Sequence, residues 1–315
     1  MPQKIAVIGA GVIGLTAAIR LLENNFDVTL FARDIKTNMA SRNAPALWIP
    51  YKAAPEESIL KWAEKSLNVY STLTASQGII PLPLLELYNK DLGLPLWTKI
   101  LKDYDELTPA ELPQSYVRGF RTNTYQIDAP TFLDYLLNQY QKLGGKIIQK
   151  DISEITAIDK QFKIIINCSG VWSCQLVPDK NSFPIRGQYV LIKKQPQIKQ
   201  ITFATVDDEK YILVVPRIND CYIGGTTLSY DWDTRVDTNL IEQQITRAQQ
   251  LEPLLKNIEI ISTGVGLRPG RKAVRLEAEQ LPDHRTVIHN YGHGGSGFTV
   301  SWGCADDVVD LCMAV

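Results

Sequence analysis

The clearest periodicity opens the chain. Lys4 to Ile8 is an apolar, strand-like run, and apolar positions at helical spacing follow from Leu15 to Leu22. A second strand is predicted at Val28 to Phe31. Within Pro55 to Gly78 a helix is expected, with Ile59, Ala63, Leu67 and Tyr70 on one stripe that reads as core packing. Asp128 and Pro130 open another helix, which turns Phe132, Leu136, Tyr140 and Leu143 inward and stops at Gly144 and Gly145. Lys146 to Gln149 reads as a third strand. Lys163 to Asn167 reads as a short buried one that ends in Cys168, Ser169 and Gly170. Helix and strand alternate here as in a βαβ unit.

The pattern changes in the middle of the chain. From Phe183 to Gly225, short β runs at Tyr189 to Lys193, Tyr211 to Val215 and Tyr222 to Gly224 are separated by turns, which suggests an antiparallel sheet. Asp231 to Asp237 is polar. Thr238 to Leu251 is a predicted helix with Leu240, Ile241, Ile245 and Ala248 on one face. The chain closes on helical spacing at Phe298, Trp302, Ala305, Val309 and Cys312. No internal repeat or low-complexity tract interrupts this order.

Composition narrows the function classes. A chain of 315 residues with net charge −1 and 45% hydrophobic residues is long enough for about two folded domains. There is no basic stripe for a nucleic acid and no apolar run near the ~20 residues a membrane span needs. Met1 to Ile8 lacks the length and basic start of a signal peptide, so the expected location is cytoplasmic. Cys168, Cys174, Cys221, Cys304 and Cys312 are scattered and form no CxxC pair, which reads as core rather than disulfide or zinc chemistry. His289 and His293 have the spacing of two helical metal ligands, but the glycines around them disfavour helix, and no metal is expected.

Two glycine-rich segments carry the chemistry. In KIAVIGAGVIG, Lys4 to Gly14, Gly9 permits a tight turn, Gly11 lets a pyrophosphate reach helix amides, and Gly14 allows close helix–strand contact. The acid expected at the tip of the second strand is displaced: Arg33 comes first and Asp34 second, so either a ribose or a 2′-phosphate could be read there. At the other end, VIHNYGHGGSGFTVSWGCA (Val287 to Ala305) runs from glycines at 292, 294, 295 and 297 into the closing helix, leaving free amides at its positive end. Ligand-facing segments at both chain ends suggest one large cofactor gripped from two sides.

These segments, with ALWIPY at 46–51, INCSGVWS at 166–173, PIRGQ at 184–188, IGGT at 223–226 and GLRPGRKAVRLE at 266–277, resemble in order the motifs of the D-amino acid oxidase family, which includes D-aspartate oxidases. The resemblance covers most of the chain and implies FAD as cofactor. It also implies an α/β fold: a Rossmann-like FAD-binding domain from residues 1–50, 138–180 and 275–315, with an interleaved antiparallel-sheet α+β substrate domain from 51–137 and 181–274. The Pro-rich stretches 81–83 and 109–113 would then be substrate-domain loops. FAD would be held by Gly9, Gly11, Val12, Ile13, Gly14, Arg33, Asp34, Ala46, Leu47, Trp48, Ile152, Cys168, Ser169 and Gly170, and by Gly294, Gly295, Gly297, Phe298 and Thr299.

By the same resemblance, Arg268 of GLRPG binds a substrate carboxylate, which suits the fork of a guanidinium. The other reading of Arg268 is a structural pair with Glu277 or Glu279. The family's substrate-binding Tyr falls on Leu213 in an ungapped match; Tyr211, on the same strand face, either replaces it or only packs the sheet, and a second family position falls on Thr227. Gly295 would accept a hydrogen bond from the substrate amine through its carbonyl, with hydride passing from Cα to flavin N5. The implied reaction is oxidative deamination of a D-amino acid by oxygen, yielding peroxide, a 2-oxo acid and ammonia. D-aspartate oxidase is the nearest alternative and would need a second cation, Arg186 or Arg217; glycine or sarcosine oxidation, and flavin binding without turnover, lie further off. A homodimer is left open, and the closing LCMAV lacks a peroxisomal tripeptide.

Overall fold

The computed structural model describes residues 2–36, 39–207 and 209–315. The chain begins with β1 (Lys4–Ile8), α1 (Val12–Glu23), β2 (Asp27–Ala32) and α2 (Glu56–Tyr70). Next come β3 (Ile79–Tyr88), β4 (Tyr104–Glu106), β5 (Arg118–Ile127), α3 (Ala129–Lys142), β6 (Lys146–Gln149), β7 (Ile164–Asn167) and the single turn α4 (Ser173–Leu176). Then follow β8 (Ser182–Lys193), β9 (Ile201–Thr205), β10 (Lys210–Pro216), β11 (Asp220–Thr226), β12 (Leu228–Ser229) and α5 (Thr238–Leu251). The last elements are β13 (Ile260–Arg271), β14 (Arg275–Gln280), β15 (Thr286–Tyr291) and α6 (Gly297–Met313).

One sheet has the order β14-β15-β7-β1-β2-β6 and is parallel apart from β14. Its central strands are buried on both faces, as the unbroken apolar runs Ile5–Ile8 and Ile164–Ile166 require. Helices α1, α2, α3 and α6 stack beside it: α1 packs on α6 and α3, and α2 on α6. Contact between α2 and α6 is close because position 303 has no side chain; a Cβ on Gly303 would lie 2.4 Å from Trp62 Cα. Ser66 Oγ accepts from the Trp302 and Gly303 amides, each at 3.1 Å, and the Tyr70 hydroxyl donates to the Phe298 carbonyl at 2.7 Å.

One expectation needs correction here. Leu143 is not inward: it caps α3 and is 43% exposed. The domain limit expected at 137/138 lies within α3, which packs on α1, while α2 packs on α6.

The second sheet has the order β12-β8-β11-β10-β9-β3-β5-β4, with β13 paired antiparallel along β8. The prolines at 81–83 are strand and not loop: Pro81 opposes Tyr125 and Pro83 opposes Asn123 within β3 and β5. They are tolerated because β9 joins the other edge of β3 only from Leu84, so no ladder bond is lost there. One face of this sheet packs under α5 through Ile241, Gln244 and Ala248, with Leu240 and Ile245 half-buried at its margin; the other face carries Tyr189, Phe203, Tyr211, Leu213 and Tyr222. Among the described residues, no helix is long and apolar enough to cross a membrane. All five cysteines are free, and all but Cys174 are buried.

Glu86 on β3 is buried beside the Tyr88 hydroxyl, which donates to it, and burial pushes its carboxyl up from 4.5 to about 7. With a folded-state pKa above the unfolded one, the native state holds the extra proton between the two values. The contribution of this group to stability is therefore full below pH 4.5 and is lost as pH rises to about 7. Thermal melts of Glu86→Gln are expected to lose that slope and to exceed the wild-type Tm at pH 8; parallel pH profiles for the two proteins would contradict this.

Candidate active site

Two helix starts converge on one cavity of about 520 Å³. At the first, Gly9 takes φ 110° and donates to the Phe31 carbonyl at 2.8 Å; a Cβ there would lie 2.4 Å from the Cys168 carbonyl oxygen. Gly14 is closer still, its Cβ position only 1.9 Å from the Gly9 carbonyl oxygen, so the turn can fold against α1 only when both are glycine. The first intrahelical bond of α1 runs from Leu15 to Gly11, and the Val12 amide meets Ser41 Oγ at 3.2 Å. At the second start, the first such bond runs from Val300 to Ser296, which leaves the amides of Gly297, Phe298 and Thr299 ahead of it. Gly294, at φ 55°, packs against the Lys52 carbonyl, and the Gly295 amide donates to the Tyr51 carbonyl at 3.1 Å. No hydrogen bond among the described residues uses the Gly295 carbonyl.

One end of the cavity lies beyond the tips of β2 and β7. Arg33, Asp34, Ile152, Cys168, Ser169, Gly170 and Trp172 line it, with Arg33 Nε 3.2 Å from Asp34 and its guanidinium 5.0 Å from the Trp172 ring centre. Trp172 in turn leans on Trp232 at 5.7 Å. Ala46 and Leu47 line the middle. So do Asn290 and His293, both 1% exposed, whose side-chain amide and Nε2 have no partner among the described residues. Burial pushes the His293 imidazole down to about 3, so it is neutral.

Three of the expected cofactor residues do not reach the wall with their side chains. Gly14 acts behind the turn, Trp48 donates Nε1 to the Ala63 carbonyl and packs on Trp97, and Thr299 Oγ1 donates to the Ile49 carbonyl at 2.8 Å. The two polar groups are claimed by neighbouring backbone that would otherwise be unsatisfied.

Arg268 defines the other end. The register of β13 on β8 sets it opposite Ile185, and its guanidinium lies over Gly187, where a Cβ would come within 2.3 Å of Nη1. Nη2 donates to the Tyr211 hydroxyl at 2.8 Å and Nη1 to the Thr226 carbonyl at 3.3 Å. Burial opposes its charge, but Tyr211, Tyr51 and Tyr222 more than offset this and the group stays protonated. No carboxylate among the described residues pairs with it. The partners considered for it are taken: Glu277 and Glu279 bind Arg275.

Around Arg268 the wall is aromatic. Tyr51, Phe203 and Tyr211 meet edge to face at 5.5 to 5.8 Å, and Tyr189 stacks on Tyr222 at 5.2 Å. Leu213 shares the wall, while Thr227 is buried without lining it. Arg186 is bound to the carbonyls of Asp233 and Arg235, and Arg217 grips Asp220 with both ends of its fork, at 2.6 and 2.7 Å; neither lines the cavity. His289 bonds Asn167 and Glu279, away from His293.

Tyr51, Phe203, Tyr222, Asn290 and His293 were not singled out in the sequence as ligand-facing. Tyr51 closes the ALWIPY motif, and Asn290 and His293 sit in the glycine-rich segment, so a signal for these three was present.

A turn of three glycines, two converging helix starts and a cavity shared with the half-buried Arg268 guanidinium define a dinucleotide-binding site with a place for a small anion. Over residues 4–311 the sequence matches the FAD dependent oxidoreductase family, and the chain belongs to that family. Among its relatives, a D-amino-acid oxidase from Rubrobacter xylanophilus is 36% identical over 99% of this chain and 96% of the relative, and one from Dictyostelium discoideum is 34% identical over 98% and 91%. Glycine oxidase from Geobacillus kaustophilus shares the fold with a TM-score of 0.83 at 19% identity, covering 99% of this chain and 95% of that one. The expected membership in the D-amino acid oxidase family thus holds, and so does the expected FAD.

Gly11→Val is expected to yield protein without the yellow flavin absorption, because a branched side chain would fill the space between the α1 amides and Ser41, where even a Cβ comes within 3.1 Å of Oγ. A yellow, stoichiometrically loaded variant would contradict it.

Proposed function

We propose that this chain oxidises D-amino acids with oxygen, giving a 2-oxo acid, ammonia and hydrogen peroxide. The observation that carries this reading is the half-buried, permanently charged Arg268, unpaired by any described carboxylate, at the end of a cavity that starts between two helix N-termini. A fork so placed is suited to a planar anion such as a carboxylate. The names of the relatives support the same substrate class.

The donor set fits FAD. Amides at Gly11, Val12 and Ile13 suit its pyrophosphate, and the cradle around Arg33, Asp34, Ile152 and Cys168–Gly170 suits its adenosine half. Ala46, Leu47 and Gly294–Phe298 would flank the ring end. Asn290 and His293 offer it unpartnered polar atoms. Bound flavin supplies the two-electron acceptor. The chain does the rest by placement. Arg268 and the Tyr211 hydroxyl hold the carboxylate, the Gly295 carbonyl accepts a hydrogen bond from the amine, and the aromatic wall excludes water. The free amides at the start of α6 favour negative charge beside them.

Arg186 and Arg217 are both engaged elsewhere, so the wall offers an acidic side chain no second cation. This favours neutral D-amino acids over D-aspartate.

Arg268→Ala is expected to retain flavin and to lose ~100-fold or more in kcat/KM, with L-amino acids inert toward both proteins; unchanged kinetics would remove Arg268 from the site. The neutral His293 and the phenols of Tyr51 and Tyr222, raised by burial, do not titrate between about pH 5 and 9. Over that range kcat/KM is expected to rise with pH as the substrate ammonium loses its proton. Substrates with less basic amines should shift the curve to lower pH, and a curve indifferent to amine basicity would show that an enzyme group titrates instead.

A further inference from the structure

Tyr222 stands between two guanidinium groups. On one side is the compartment next to Arg268; on the other, further along the same face of the sheet, is Arg217, whose guanidinium carbon lies 5.9 Å from the Tyr222 ring centre. The alternation of β10 places Tyr211, Leu213, Val215 and then Arg217 in one file, and Tyr222 pairs with Val215 from β11, so its ring closes the file just before Arg217. The ring is fixed. It stacks on Tyr189 with 20° between planes, Gly224 beside it has no room for a Cβ at 2.8 Å from Cε1, and Tyr222 is 3% exposed. Behind it the Arg217–Asp220 pair is itself shielded from solvent, at 10% and 17% side-chain exposure.

We propose that Tyr222 determines which substrate side chains this site admits, its ring screening the buried Arg217–Asp220 pair from the compartment and thereby keeping that compartment neutral. The proposal rests on the reading that Arg268 holds the substrate carboxylate, since this anchors the side chain toward the aromatic wall. Charge explains the direction of the effect. With the ring in place, a side-chain carboxylate would meet the aromatic wall and Leu213, with no cation besides Arg268 among the described residues there, and an anion buried without a partner is strongly disfavoured. With the ring removed, the compartment opens onto a guanidinium that Asp220 already occupies. Truncation alone therefore admits longer side chains, and release of Arg217 from Asp220 admits acidic ones.

The test compares kcat/KM of flavin-loaded enzyme for D-alanine, D-leucine and D-glutamate. Tyr222→Phe is expected to keep the wild-type ratios within about threefold, because the ring and not the hydroxyl does the screening. Tyr222→Ala should raise the leucine-to-alanine ratio at least tenfold, and Tyr222→Ala with Asp220→Asn should raise the glutamate-to-alanine ratio at least tenfold further. Adding Arg217→Met should cancel that second gain. If Tyr222→Ala oxidises D-alanine with unaltered ratios, the proposal is overturned.

Tyr222→Val, which favours the strand, serves the same comparison should the alanine variant lose flavin. In the intact background, replacing the pair together (Arg217→Met with Asp220→Leu) is expected to leave all ratios unchanged; a tenfold fall for D-glutamate would show that Arg217 already faces substrate and would equally overturn it. Arg268→Ala separates the two levels. If it keeps full turnover, the carboxylate reading fails; if it loses turnover while the Tyr222 variants keep their ratios, only the role of Tyr222 fails.

Discussion

A guanidinium cannot discard its proton when water is partly stripped from it, so a chain that turns one into a cavity must surround it with acceptors or leave it for a ligand. At Arg268 the surroundings are incomplete: one phenol and one carbonyl meet a fork with five donors. The acids that follow it in the chain are committed elsewhere, Glu277 and Glu279 to Arg275. No carboxylate among the described residues takes the anion position, and Gly187 leaves the guanidinium room to lie over β8.

The cofactor cradle depends on closeness rather than charge. Gly9, Gly14 and Gly294 each occupy a place where a Cβ would lie within 2.4 Å of a backbone carbonyl oxygen, and these contacts bring the start of α1 and the start of α6 to the same cavity. Because α2 packs backbone to backbone on α6 at Gly303, and the Tyr70 and Ser66 hydroxyls satisfy groups of α6, the second helix start is fixed from its far side. Cofactor cradle and anion end are thus joined through elements drawn from both ends of the chain.

Much of this was legible in the residues. The run from Lys4 to Gly14 encodes its turn through glycines whose absent side chains are needed locally, and Arg268 stood out because few residue types suit a carboxylate. Other features depended on partners far away in sequence. Pro81 and Pro83 read as loop because nothing local shows that β9 pairs with β3 only from Leu84 onward. Trp48 and Thr299 lie in the expected segments, but carbonyls of Ala63 and Ile49 take their polar atoms. Tyr222 reads as an ordinary strand aromatic, and only the pairing of β10 with β11 reveals that it stands between two cations. Helices α2 and α3 sort with the parallel sheet through packing that no local periodicity encodes.

The pairing of β13 with β8 distributes the tolerance for insertions unevenly along the chain. Side chains alternate between sheet faces, so a slip of a single residue between Gly264 and Gly270 would carry Arg268 out of the cavity and into the opposite face. Residues 230–237, by contrast, lie outside the strands and helices, and Arg186 ties them to β8 through the carbonyls of Asp233 and Arg235. A change of length costs less there than within the ladder, where the spacing of a handful of positions has to be kept as an indivisible unit.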